Sequence, residues 1–406
     1  MALIVQKYGG TSVGDLERIA NVARKVAARK EEGNDIVVVV SAMAGETDRL
    51  LSLANKIVNA PNERELDVLI STGEQVTIAL LAITLESMGY QARSYCGWQI
   101  PLVTDDAFGA ARIADVKKES IMSELAAGKI VIVAGFQGVD GTGHITTLGR
   151  GGSDTSAVAV AAALNADLCE IFTDVDGVYT TDPHITNRAK KLKKVAYEEM
   201  LEMASLGAKV LCIRAVEFAM RHRVPLVVRS SFNNHEGTLV TEEDGDMERE
   251  SVRAVTCNMK EAKITISGVP DKPGVASRIF SALAEAHVVV DMIIQNSSAE
   301  GITDISFTVL EADLAKSLEI CRGIRETLGA KDVSGSEDVA KVSIIGLGMR
   351  SYSGVASTMF SALAREGINI EMISTSEIKI SCVIRKKYAE LAVRTLHDVF
   401  ELEKAS

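Results

Sequence analysis

Through roughly the first 240 residues, short β-branched runs alternate with longer stretches whose apolar residues recur at helical spacing. The run Ile36-Val37-Val38-Val39-Val40 is apolar on both faces and predicts a buried strand at 36–41. Similar runs predict strands at 3–7, 130–134, 168–173 and 226–229. Amphipathic spacing predicts helices at 16–30, 65–88 and 155–165, and the alanine-rich run 157–164 suits a buried helix. Strands alternating with helices imply an α/β domain of three αβα layers around a mostly parallel sheet, in which ligands gather at the carboxyl ends of strands.

The pattern then changes. Residues 241–251 (TEEDGDMERES) are acidic and almost free of large apolar side chains, which marks a linker. Beyond it the chain repeats at an offset of 80 residues. Gly274-Val275-Ala276-Ser277 recurs as Gly354-Val355-Ala356-Ser357, Phe280-Ser281-Ala282-Leu283-Ala284 as Phe360-Ser361-Ala362-Leu363-Ala364, and Met292-Ile293 as Met372-Ile373. Three blocks in one register are a duplication. Each copy reads strand, glycine turn, helix, strand, strand and helix, with a closing strand that makes βαββαβ. The expected extents are 1–240 for the first domain, 241–261 for the linker, and 262–335 and 340–406 for the two copies.

Charge and cysteine usage narrow the partners. A net charge of -11 over 406 residues argues against nucleic acid, whose phosphates call for a concentrated basic face. No run approaches the roughly 20 apolar residues that span a bilayer. The opening residues run straight into a strand, so no signal peptide is expected. Six scattered cysteines, without CxxC or histidines at ligand spacing, suit buried thiols in a reducing compartment and no structural metal. The expected setting is the cytoplasm. There is no GxxxxGK[ST] and no GxGxxG after a strand, which argues against P-loop and ordinary dinucleotide folds.

Two segments carry candidate chemistry: Lys7-Tyr8-Gly9-Gly10-Thr11-Ser12 and Thr147-Leu148-Gly149-Arg150-Gly151-Gly152-Ser153-Asp154. Each joins paired glycines, hydroxyls and a cation beside a strand-like run. Glycines let the backbone approach closely and aim N–H groups at oxygens, and Lys or Arg adds charge. Together they point to one anion site assembled from distant parts of a sheet.

KYGGTS at 7–12, SAMAGETDRL at 41–50, STGE at 71–74, TLGRGGSDTSA at 147–157, FTDVDGVYTTDP at 172–183, GVPDKPGVA at 268–276 and ISTSEIKIS at 373–381 occur in one order along the chain. The chain resembles the aspartate kinases of the amino acid kinase family, with a tandem pair of ferredoxin-like ACT domains at the C-terminus. The resemblance implies ATP-dependent phosphorylation of the L-aspartate β-carboxylate, with magnesium carried on the ATP phosphates and few protein ligands for it.

By motif correspondence, Lys7 would lie against the transferring phosphoryl group, with Gly9, Gly10 and Ser12 as donors. Arg150 would clamp the substrate α-carboxylate and Glu74 the α-ammonium, with Ser41, Thr47 and Ser153 orienting. Asp154 would hold Lys7 or the substrate amine, and would also suit a helix N-cap. Thr173, Asp174, Tyr179, Asp182 and Lys209 would meet the nucleotide. In place of the family's usual TTDPR, this chain has His184 where the Arg would contact nucleotide phosphate.

The ACT pair implies amino-acid feedback. Asp271, Gly274, Ala276 and Gln295 would form a threonine site in the first lobe, faced by Asn369 and Ile370. Met349, Ser357 and Glu377 would meet lysine. The second turn reads Met349-Arg350-Ser351-Tyr352-Ser353-Gly354 and lacks the usual proline, which is expected to loosen it. ACT pairing implies a homo-oligomer, and Met247 and Met259 leave room for a separately started regulatory subunit. Other amino acid kinases lack the ACT pair. A sensor without turnover would not need Lys7, Glu74, Arg150 and Asp154 intact.

Overall fold

The computed structural model describes residues 2–207, 210–245, 247, 250–296 and 301–404. The chain divides into two compact units, one of residues 1–178 and 191–244, the other of 179–190 and 245–405.

The first unit begins with β1 (Leu3–Tyr8), α1 (Leu16–Glu31), β2 (Asp35–Val40), α2 (Glu46–Ile57), α3 (Glu63–Ile70) and α4 (Thr72–Ser87). It continues through β3 (Ala92–Tyr95), β4 (Leu102–Thr104), β5 (Ile113–Val116), α5 (Glu119–Ala126), β6 (Ile130–Ala134), β7 (Gln137–Val139) and β8 (Ile145–Thr147). Then come α6 (Gly152–Leu164), β9 (Leu168–Thr173), β10 (Lys194–Ala196), α7 (Tyr197–Ser205), α8 (Ile213–His222), β11 (Leu226–Ser230) and β12 (Thr238–Thr241).

Eight strands form a sheet in the order β10-β12-β11-β9-β1-β2-β6-β3, parallel except where β11 meets β12. Alternation along the strands sends side chains to both faces. Ile4, Ile36, Val38 and Ile132 pack with Ile19, Val22 and Val26 of α1 and Ile78, Leu81 and Leu85 of α4. Val5, Val37 and Val39 point the other way and are fully buried, on the side where α6 packs on β1, β2 and β9. Each such side chain contributes about 1.5–3 kcal/mol by leaving water. The expected three-layer α/β fold is present.

Two predicted helices change shape. The stretch expected at 65–88 is broken at Ser71, whose N–H still bonds to the Asp67 carbonyl. By length and composition 63–87 would suffice to cross a bilayer, yet Ile70, Ile78, Leu81 and Leu85 are spent on the core. The helix expected at 155–165 starts at Gly152, because Gly151 takes a left-handed N-cap (φ 71°).

The second unit holds β13 (Ala254–Pro270), α9 (Val275–Glu285), β14 (Val290–Gln295), β15 (Ile302–Leu310), α10 (Leu314–Leu328), β16 (Asp332–Ile345), α11 (Val355–Arg365), β17 (Ile370–Thr375), β18 (Lys379–Arg385) and α12 (Ala389–Val399). Its sheet runs β14-β15-β13-β16-β18-β17, antiparallel throughout.

The expected linker 241–261 is too long, since 254–261 is strand. Ala254–Asn258 pairs with Lys341–Ile345, and Lys263–Ser267 pairs with Asp332–Ser336. Thus β13 and β16 each serve both lobes. The first lobe is βαββαβ in chain order. The second is not: no strand follows α12 among the described residues, and 254–258 fills that place from ahead of the first lobe.

Two ion pairs cross between the lobes. Lys341 on β16 meets Asp291 on β14, and Lys263 on β13 meets Glu371 on β17, the acids standing 80 residues apart. Met292 and Met372, another pair at that offset, share a small core with Val339 and Val383. The segment 179–190 joins this unit through Ile185, which packs on the second-lobe core, and Arg188, which pairs with Asp398 at 3.0 Å.

Candidate active site

Parallel pairing brings the carboxyl ends of β1, β2 and β6 to one edge, since Tyr8 lies beside Val40 and Val40 beside Ala134. There the first unit holds a cavity of about 690 Å³. Of the residues expected to act, Lys7, Gly9, Gly10, Ser41, Thr47, Glu74, Arg150, Ser153 and Asp154 all line it. Two glycines allow the walls to close. A Cβ on Gly10 would sit 2.9 Å from the Ala42 carbonyl, and one on Gly151 would sit 2.5 Å from Cys212 Sγ.

Lys7 is the penultimate residue of β1, and Asp154 sits in the first turn of α6. Their side chains are mostly buried, with Nζ and Oδ1 2.6 Å apart. Of the roles left open for Asp154, the structure brings it to Lys7. It is not the N-cap, which is Gly151. Burial pushes the Glu74 carboxyl up to about 7. Its Oε1 accepts the Ala42 N–H at 3.0 Å, while Oε2 is buried with no partner among the described residues. Arg150 is exposed at the cavity rim and forms no ion pair among the described residues.

A model of the amino acid kinase family matches residues 2–230, and one of the ACT domain matches 264–322 and 342–400. The chain is 58% identical over 405 residues to an aspartokinase of Pseudomonas aeruginosa, covering 99% of this chain and 98% of that protein. The chain belongs to the aspartate kinases of the amino acid kinase family. Among solved structures it is similar to the aspartate kinase of Synechocystis, at 43% identity and TM-score 0.56, covering 100% of this chain and 70% of that one. It is also similar to E. coli aspartokinase III in complex with aspartate and ADP, at 27% identity and TM-score 0.81, covering 98% and 99%.

Other expected site residues of this aspartate kinase fall outside the cavity. Ser12 does not line it: its N–H bonds to the Gly9 carbonyl at 2.9 Å and its hydroxyl to Ser231. Ser231 in turn donates to the Thr173 carbonyl at 3.2 Å, so the Ser12 proton is directed at Ser231. Both Ser12 donors are thus used within the fold. Thr173 ends β9 with its hydroxyl on Asp174 at 3.0 Å. Tyr179 and Asp182 lie on segment 179–190, where Asp182 accepts the His184 N–H at 2.9 Å, and His184 is exposed. Lys209 lies outside the described residues.

In the ACT lobes, Asp271 and Gly274 stand at the turn before α9, Ala276 lies in its first turn, and Gln295 is exposed at the end of β14. Asn369 is exposed ahead of β17, which Ile370 opens. In the second turn, Met349 is half-buried, Ser357 is exposed on α11, and exposed Glu377 meets Arg350 at 3.6 Å. The missing proline does not alter the cap: φ is 95° at Gly274 and 92° at Gly354.

Among the cavity residues that escaped the sequence reading, one is a buried carboxylate. Asp67 on α3 is 1% exposed and hydrogen-bonded to Gly109 and Thr147. Its signal was a carboxylate three residues before Ile70, on the apolar stripe of an amphipathic helix.

Proposed function

We propose that this cavity is where the kinase transfers the γ-phosphoryl group of MgATP to the β-carboxylate of L-aspartate. The observation that carries the reading is the Lys7–Asp154 pair at 2.6 Å beside a buried carboxyl with a free oxygen, in one cavity rimmed by Arg150.

Aspartate's β-carboxylate has a pKa near 3.9 in water, so it is ionised at neutral pH and needs no general base. One of its oxygens attacks the γ-phosphorus as the bond to the bridging β,γ-oxygen breaks and ADP leaves. The barrier lies in bringing two anions together and balancing charge on the moving group. Lys7 supplies the cation, held in place by Asp154, and the Gly9–Gly10 backbone approaches closely. The N-terminus of α6 adds its amides and dipole. Arg150 takes the α-carboxylate in a bidentate fork. The free Oε2 of Glu74 takes the α-ammonium, with Ser41, Thr47 and Ser153 orienting the substrate. Magnesium arrives on ATP as part of that substrate. Thr173, Asp174, Tyr179, Asp182 and Lys209 serve the nucleotide.

The ACT lobes serve feedback by threonine, lysine or both, at turns whose left-handed glycines open helices α9 and α11. Exposed Ile293 and Ile373 on edge strands β14 and β17 suit pairing with a second copy of the chain. Six unpaired cysteines fit a reducing, cytoplasmic setting.

The test is ADP release from MgATP with L-aspartate, alone and with threonine, lysine and both. Aspartate-dependent turnover that falls with an added amino acid is expected, and Asp154→Asn should lower kcat by about 100-fold. Binding of ATP without aspartate-dependent turnover would overturn the substrate.

A further inference from the structure

A buried carboxylate that touches no cation needs a reason. Asp67 Oδ2 accepts the Thr147 N–H at 2.8 Å and the Gly109 N–H at 3.0 Å. Oδ1 accepts the Thr147 hydroxyl at 2.6 Å and shares the Gly109 N–H at 3.1 Å. Every partner is a donor, which suits a carboxylate and offsets part of the desolvation that raises its pKa. The side chain thereby ties three segments together: α3, the loop between β4 and β5, and the end of β8.

Two of those segments meet again at Gly149. Its φ is 73°, and a Cβ there would lie 2.9 Å from the Gly109 carbonyl. Asp67 thus holds both Gly109 and Thr147, the two sides of the seat from which the next residue, Arg150, projects. Arg214 secures the same root from elsewhere, donating to the Leu148 and Ala111 carbonyls at 2.6 and 2.7 Å. Arg150 itself makes no ion pair among the described residues, so its aim depends on this root.

We propose that Asp67 is a positioning residue for substrate aspartate: it sets the loop root that aims Arg150. This rests on the reading of Arg150 as the α-carboxylate clamp. A displacement of about 1 Å at such a group can lower rate about 100-fold, so a clamp on an otherwise unheld arginine matters.

The test is a kinetic cycle on the full-length enzyme. Asp67→Asn keeps the size but turns an amide donor toward a ring of donors. It should raise KM for aspartate by about tenfold or more and leave KM for MgATP within about twofold. In an Arg150→Gln background, the same change should add less than about twofold, because the two residues act in series. Thr147→Val, which removes only one hydroxyl, should raise KM for aspartate by a smaller factor, and Thr147→Ser should restore it. These two variants carry the test if Asp67→Asn does not fold. An aspartate KM within about twofold of the parent in both Asp67→Asn and Thr147→Val would overturn the proposal, as would effects that multiply with Arg150→Gln. If Arg150→Gln alone leaves KM for aspartate unchanged, the reading of Arg150 falls first and this proposal with it.

Discussion

Thr180 Oγ1 lies 3.0 Å from His397 Nε2 in the interior of the second unit. The same hydroxyl accepts the Lys190 N–H at 2.9 Å, and the Thr180 carbonyl accepts the Val255 N–H at 2.8 Å. One threonine therefore ties the segment 179–190 to α12 and to β13.

This contact predicts acid sensitivity. His397 is 1% exposed, its Nδ1 has no partner among the described residues, and burial holds its pKa below the ordinary 6.5. Asp398 and Glu403 favour the charged form, and Arg188 opposes it. Between the lowered value and 6.5 the unfolded chain binds more protons than the folded one, so stability falls as pH drops through that window. The slope from one such group is at most about 1.4 kcal/mol per pH unit. Urea unfolding followed by circular dichroism from pH 7 to 5 should show it, and His397→Gln should flatten it. An identical slope in the variant would remove His397 as the cause.

Glu74 predicts the opposite sign for stability. Its carboxyl is raised from 4.5 to about 7, so the folded state holds the extra proton in that window and stability falls as pH rises through it. Substrate reverses the preference, because an α-ammonium wants the carboxylate. KM for aspartate should therefore fall between pH 6 and 8, a span bracketing the value of about 7. Glu74→Gln should raise KM by about tenfold or more, erase that pH dependence and make the free enzyme harder to unfold at pH 8. A KM profile unchanged in shape by the substitution would count against Glu74 as the ammonium partner.

Lys341 predicts how the two lobes depend on each other. It is 2% exposed between Glu261 at 3.1 Å and Asp291, and Glu261 Oε2 is buried without a hydrogen bond. Removing the cation strands a buried carboxylate, so Lys341→Ala should cost about 3–5 kcal/mol in unfolding free energy. A loss below about 1 kcal/mol would mean that the cross-lobe ion pairs behave like exposed ones.

The parallel core was legible because buried strands must be apolar on both faces, and Ile36–Val40 has no other reading. The site was legible where the chain needs small residues, as at Gly9-Gly10 and Gly151-Gly152. The full span of β13 was hidden by Asn258, Lys260 and Glu261, polar positions that interrupt the alternation. Glu261 is buried because Lys341 comes to it from far along the chain, which local pattern cannot display. Segment 179–190 reads as part of the first domain by its place in the chain, yet Ile185 and Thr180 give their contacts to the second unit. Asp67 was hidden for a related reason: its partners, Gly109 and Thr147, are backbone amides and one hydroxyl with no signature of their own.

The crossed strands carry a consequence for how the gene can be divided. A product started at Met247 would keep 254–258, the strand that completes the second lobe. A product started at Met259 would lose it, leaving one side of β16 open along 341–345 and Val255 missing from the core it shares with Val342 and Ile344. Cutting the chain between the duplicated copies would strand the same segment with the wrong half. The duplication seen in the sequence and the building blocks of the folded molecule therefore have different borders, and a break ahead of Val252 keeps the strand and its buried neighbour with the lobe they complete.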